Sequence, residues 1–293
     1  MSDRHPDHAH SLADDLKVME TLMARRRALK WFAGAGTAAL VAGCGGSDAA
    51  PGSVAVVSGS TASATPTPTA SGTSAACIAD PAETAGPYPG DGTNTASGGT
   101  SNILTVSGVV RSDIRPSFLS TTTVATGVLL KITLTLVDVN ATCAPLAGYA
   151  VYLWHCDRQG LYSLYTAPAE SYLRGVQVTD ANGQVSFTTI FPGCYDGRWP
   201  HMHFEVFSSL SNALGGRYAV LTSQLAMPSA ACSAVYADAT TYPSSAAKFA
   251  RISLSSDGIF GDNSAAQVAQ QTPVFSGNVA AGYDATTLIG IAR

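Results

Sequence analysis

Two histidines one residue apart, in His201-Met202-His203, are the sharpest chemical signal in the chain. On a β-strand, residues two apart project to the same face. Both imidazoles could then reach one metal ion while Met202, Phe204 and Val206 turn to a core. Taken alone, such a pair is at least as often a surface or core feature as a ligand set. Two tyrosines sharpen it. Tyr195 lies in the Gly- and Pro-bearing run 191–200 that leads into the histidines, and Tyr162 lies further back in a segment containing Trp154, Asp157 and Gly160. Phenolates are hard, anionic donors and favour ferric iron over zinc or ferrous iron. Arg198, three residues before His201, is a cation that could stabilise negative charge developing on a substrate, its plain alternative being an ion pair with Asp196.

The elements that must position these residues read as strands. In Leu130-Lys131-Ile132-Thr133-Leu134-Thr135-Leu136 the apolar residues alternate. Val151, Leu153 and His155 alternate with Tyr152, Trp154 and Cys156. Asn182-Gly183 ahead of the alternating run 185–190 predicts a hairpin. The segment 229–250 could hold a short helix, and a last strand is expected near 285–291. Long helical stripes are hard to find, so the predicted class is all-β, a sandwich with long loops over its active site.

The first 76 residues read differently. Arg25-Arg26-Arg27-Ala28-Leu29-Lys30 resembles a twin-arginine export motif, followed by an uncharged, Gly/Ala-rich run too short to span a bilayer. Leu40-Val41-Ala42-Gly43-Cys44 looks like a lipoprotein processing box, with Cys44 as the lipidated residue. Residues 1–43 are therefore read as a signal peptide. Residues 44–76 are read as a lipidated cysteine and a Ser/Thr/Ala/Gly/Pro tether, with no aromatic residue to nucleate a core. Residues 77–293 are read as the folded domain. This places the protein outside the cytoplasm, lipid-anchored, at the outer membrane or cell surface. A chain of 293 residues, 12% charged and with net charge −4, carries no nucleic-acid footprint.

The stretch 149–206 resembles the intradiol ring-cleavage dioxygenases of catechols and protocatechuate. The matching pieces are Trp154, Asp157, Gly160-Leu161-Tyr162-Ser163, Leu173-Arg174-Gly175, Thr179-Asp180, 187–193, Tyr195, Arg198 and His201-Met202-His203-Phe204. Glu83-Thr84-Ala85-Gly86-Pro87-Tyr88 resembles the family's Gly-Pro-aromatic segment, and Thr222-Ser223-Gln224 also fits. The resemblance covers roughly 77–225 and looks closest to an exported, tethered branch. It implies one non-haem Fe(III) per chain, held by Tyr162, Tyr195, His201 and His203. It implies cleavage of a small aromatic diol with O₂ to a muconate-type diacid. Tyr195 and Arg198 carry catalytic roles by that resemblance, and Gln224 lines the pocket. Tyr88 and Arg174 are expected to contact substrate. His155 is read as structural, and Trp154 and Trp199 as packing.

Departures from the family's pattern at Ala85, Cys194 and Leu225-Ala226-Met227 bear on substrate choice more than on iron. Only ten Lys and Arg follow Cys44, which favours neutral catechols or hydroxyquinol. Family members range from dimers to large assemblies, so a homo-oligomer is compatible with the resemblance. With Cys44 set aside, five cysteines remain. Cys194 and Cys232 are atypical and open to pairing with each other, and no Cys-x-x-Cys spacing supports thiolate ligation. Two other functions are open: a non-catalytic, surface-anchored β-sandwich binding module, and a zinc or copper enzyme built on the histidines.

Overall fold

The computed structural model describes residues 77–216 and 218–293. The expected signal peptide, Cys44 and tether lie outside the described residues. Nine strands form: β1 (Leu129–Asp138), β2 (Ala144–Pro145), β3 (Ala150–Trp154), β4 (Arg174–Val178), β5 (Gln184–Ile190), β6 (His201–Phe207), β7 (Leu221–Ala226), β8 (Val274–Asn278) and β9 (Gly282–Ile291). The first sheet centres on β1, which pairs antiparallel with β2 and β5 and parallel with β9, while β8 borders β9. The second runs β4-β3-β6-β7, antiparallel throughout. The all-β sandwich is as expected. Two short helices, Ser229–Tyr236 and Ser245–Phe249, occupy the segment where one was expected, and β9 covers the expected last strand.

Alternation decides which side chains fill the sandwich. Leu130, Ile132 and Leu134 of β1 meet Val151 and Leu153 of β3, and Met202, Phe204 and Val206 of β6. The intervening residues of β3, Tyr152 and Trp154, face the other way, into a second cluster with Tyr88, Leu104 and Tyr162. Strand β3 is buried on both faces because loops roof the outer side of its sheet. Burying a large aromatic side chain there contributes about 2–3 kcal/mol.

Two expectations are corrected. Asn182-Gly183 does not close a hairpin, because β4 pairs with β3 and β5 pairs with β1. The turn, with Gly183 at φ +74°, carries the chain from one sheet to the other. Dipeptide chemistry specifies the turn but not the partners of the strands it joins. Nor do Cys194 and Cys232 pair. Both are buried and free, as is Cys156, and the disulfide joins Cys77 to Cys143. Burial pushes the Cys194 thiol up to about 12.

A strap formed by residues 77–91 follows that disulfide. It bonds to β9 through Asp80 N–H and the Gly290 carbonyl, and to β7 through Glu83 N–H and the Thr222 carbonyl. It then crosses the outer face of the second sheet, where Gly86 and Tyr88 meet the residues of the site.

Candidate metal centre

Strand β6 is buried along its whole length. Its period of two sends Met202 inward and leaves His201 and His203 side by side on the outer face. Their Nε2 atoms are 3.1 Å apart. His201 Nδ1 bonds to the Trp199 carbonyl, so that nitrogen carries the proton and Nε2 offers a lone pair. The Tyr195 hydroxyl comes to 3.0 Å of the same Nε2. Tyr195 reaches it from the loop between β5 and β6. In that loop Gly193 lies where a Cβ would strike the carbonyls of Asp157 and Arg158.

Tyr162 completes the cluster. It descends from the loop between β3 and β4, with its ring centroid 5.9 Å from Tyr195 and 6.1 Å from His203. Its buried hydroxyl has no partner of acceptable hydrogen-bond geometry, although Tyr195 is close enough to couple with it. His203 Nδ1 is likewise buried without a partner. Tyr165, three residues after Tyr162, is occupied elsewhere: its hydroxyl accepts from Gly90 N–H and donates to Asn94.

Burial governs the charges. It holds both imidazoles well below the usual histidine range, helped at His201 by the Arg198 guanidinium and at His203 by His201 and Arg198. It pushes both phenols upward. Without a cation the site is thus a set of neutral, largely buried donor side chains, two of them with an unpartnered polar atom. A buried polar atom left without a partner costs about 1–3 kcal/mol, so the arrangement suits a cation that all four could share. Two nitrogens and two phenolates fit a hard, high-charge metal. Among the described residues no cluster of three or more His, Cys, Asp or Glu side chains forms. This donor set, half of it tyrosine, falls outside such clusters and is the candidate metal centre among the described residues.

Around it, Trp154 stacks on His203, centroids 5.0 Å apart. Arg198 is buried against Asp257, Nε to Oδ2 3.0 Å, and donates to Gln224 Oε1 at 2.7 Å. Gln224 turns its amide nitrogen to the Thr84 carbonyl. Tyr88 lies against Tyr162, centroids 4.8 Å apart.

Arg174 departs from expectation. Its guanidinium is fully buried and donates to the carbonyls of Tyr88, Pro89 and Ser163 and to the hydroxyls of Tyr152 and Ser163. It ties the strap to the sheet and has no donor left for a substrate. Asp196 meets Lys248, not Arg198. His155 is structural as read, bonded to the Cys156 carbonyl and the Thr189 hydroxyl. Asp257 was missed, being 59 residues from Arg198 in a segment with no motif.

A family model described as Dioxygenase matches residues 121–210, which hold all four donors. No curated protein matches the chain. Among solved structures, the chain is similar to an intradiol ring-cleavage dioxygenase from Tetranychus urticae: 23% identity, 74% of this chain and 95% of that one covered, TM-score 0.53. It is also similar to the dioxygenase domain of a carbohydrate-binding fusion from Streptomyces sp. SirexAA-E: 22% identity, 73% and 99% covered, TM-score 0.44. The first likeness is one of fold.

Proposed function

We propose that this chain is an intradiol ring-cleavage dioxygenase that cleaves the ring of a catechol-type aromatic with O₂, giving a muconate-type diacid; the matched Dioxygenase domain and the likeness of fold support that reading. The observation that carries this reading is the convergence of Tyr195 Oη, His201 Nε2 and His203 Nε2 within about 3 Å steps, beside the partnerless Tyr162 hydroxyl. These four residues would hold one non-haem ferric ion. When bound, that ion supplies a Lewis-acidic seat for the two diol oxygens and opens the ring to O₂.

The side chains divide the remaining work. Tyr195 Oη, as a phenolate, is the base that accepts a proton from a diol hydroxyl. Arg198 brings a fixed positive charge beside His201 and stabilises negative charge on the substrate. Gln224, held at both ends of its amide, walls the pocket without adding charge. Trp154 and Tyr88 keep the donor cluster dry. Every Arg174 donor is taken by a protein oxygen and the Arg198 charge is balanced by Asp257, which favours an uncharged catechol or hydroxyquinol over a carboxylated one. We place the domain outside the cytoplasm, held to a membrane by a lipid on Cys44.

Metal content and a visible spectrum, recorded before and after anaerobic catechol, test the reading together with O₂ uptake. One iron per chain, a tyrosinate band that shifts with catechol, and uptake without added cofactor are the expected results. An iron-free, colourless and inert protein would move the assignment to a binding module. A different stoichiometric metal would overturn the tyrosine assignments.

A further inference from the structure

Arg198 reaches the donor cluster with an unusual division of its guanidinium. Nε donates to Asp257 Oδ2 at 3.0 Å, and Nη2 reaches both Asp257 Oδ1 at 3.4 Å and Gln224 Oε1 at 2.7 Å. Nη1 faces His201 Nε2 at 3.5 Å and, among the described residues, meets no oxygen. One edge of the fork is clamped and the other is offered to the site. The clamp is itself rigid. Asp257 Oδ2 also accepts from Trp199 N–H at 2.7 Å, and Oδ1 accepts from Ile259 and Phe260 N–H at 2.8 and 3.1 Å. Both side chains are buried, at 3% and 0% exposure.

We propose that Asp257 is a positioning residue for the reaction, acting through Arg198: it fixes the guanidinium so that Nη1 points at the substrate oxygen beside His201. This rests on the dioxygenase reading and adds to it. An arginine loose by one rotamer would still carry its charge but would not place it where negative charge develops, and preorganised placement is what makes such a group effective. The carboxylate comes from the loop ahead of residue 260, outside the matched domain, so the C-terminal segment takes part in the site.

The test uses the full, iron-loaded chain with Asp257→Asn, Asp257→Glu, Arg198→Ala and the Asp257→Asn/Arg198→Ala pair. Asparagine removes the charge and keeps one acceptor oxygen, its NH₂ group replacing the oxygen that serves either Trp199 N–H and Arg198 Nε or Ile259 and Phe260 N–H. The expected result for Asp257→Asn is a kcat per iron reduced roughly 10- to 100-fold, with KM and the visible band little changed. In the Arg198→Ala background the same change should cost less than about twofold, because residues acting as a unit are not additive. Asp257→Glu should recover part of the loss. A readout independent of turnover is the Arg198 Nε–H signal in ¹⁵N spectra of the iron-free protein. It should be resolved in the wild type and in Asp257→Glu, and lost in Asp257→Asn.

Additive losses in the double variant, or a loss confined to melting temperature and iron content, would overturn the positioning role. A wild type with neither iron nor turnover would overturn the dioxygenase reading and the catalytic consequence with it. An active wild type with additive losses overturns Asp257 alone.

Discussion

The Trp154 indole lies almost parallel to the His203 imidazole, with 9° between the planes and 5.0 Å between centroids. A Cβ at Gly86 would sit 3.1 Å from His203 Cε1. His203 is therefore held by an indole stacked from β3 and by bare backbone of the strap against its Cε1 edge. Its orientation is set by packing, since Nδ1 has no hydrogen-bond partner to fix it.

Gly86→Ala should disturb this arrangement twice. Gly86 has φ +72°, a conformation costing an L-residue about 1–2 kcal/mol, and the added methyl presses on the ring. Thermal melting should show the first effect. Iron titration should show the second, as an affinity several-fold weaker than wild type. Unchanged iron affinity in a folded variant would mean that the strap does not seat His203.

Arg174→Met should act on stability rather than on substrate. It removes the guanidinium donor from the Tyr88 and Ser163 carbonyls, leaves the Pro89 carbonyl with only the Tyr152 hydroxyl, and frees the strap. The expected cost is about 3 kcal/mol or more in denaturant unfolding. KM for a neutral catechol should stay within about twofold under folding conditions. In the wild type, kcat/KM for catechol should exceed that for a carboxylated catechol by at least about tenfold. A large KM increase in Arg174→Met would return Arg174 to the substrate pocket.

What the sequence made legible follows from how local each signal is. His201 and His203 are two residues apart on one strand, so their shared face is a matter of period. The fold class came from the same alternation. Tyr162 could be singled out from Tyr165 only through resemblance, because three residues in a loop carry no periodic information. Asp257 and the Cys77–Cys143 pair depend on contacts across 59 and 66 residues, which no local pattern encodes. Arg174 misled because an arginine beside a site reads as a ligand-binding cation. Only the structure shows that backbone carbonyls already occupy it.

Asp80 predicts a pH effect. Burial raises its carboxyl from 3.8 to about 6, only partly offset by Gln270 and by Gly290 N–H. A folded-state value above the unfolded one means that the folded form holds the proton more tightly. Stability from this group is present below about pH 4 and is lost as pH rises through about 6, on the order of 3 kcal/mol in all. Asp80→Asn should flatten that part of the stability–pH curve, measured by urea unfolding between pH 4 and 7. A variant with the wild-type slope would show that another group carries the dependence.

Removing the disulfide with Cys77→Ser and Cys143→Ser should lower stability. A bridge spanning 66 residues is worth roughly 4 kcal/mol on loop-closure grounds. Differential scanning calorimetry of the double variant measures it. Proteolysis should then cut first within residues 78–91, because the strap loses its covalent end.

That bridge also determines how the domain bears tension. Cys77 is the first described residue, and its partner sits at the corner between β1 and β2, the former being the central strand of the larger sheet. A pull arriving along the chain from residue 76 is delivered through a sulfur–sulfur bond into the stiffest part of the sandwich. The stretch that roofs His203 begins beyond that point, off the direct line of load. Whatever pulls on residue 76, the donor cluster is mechanically insulated from it.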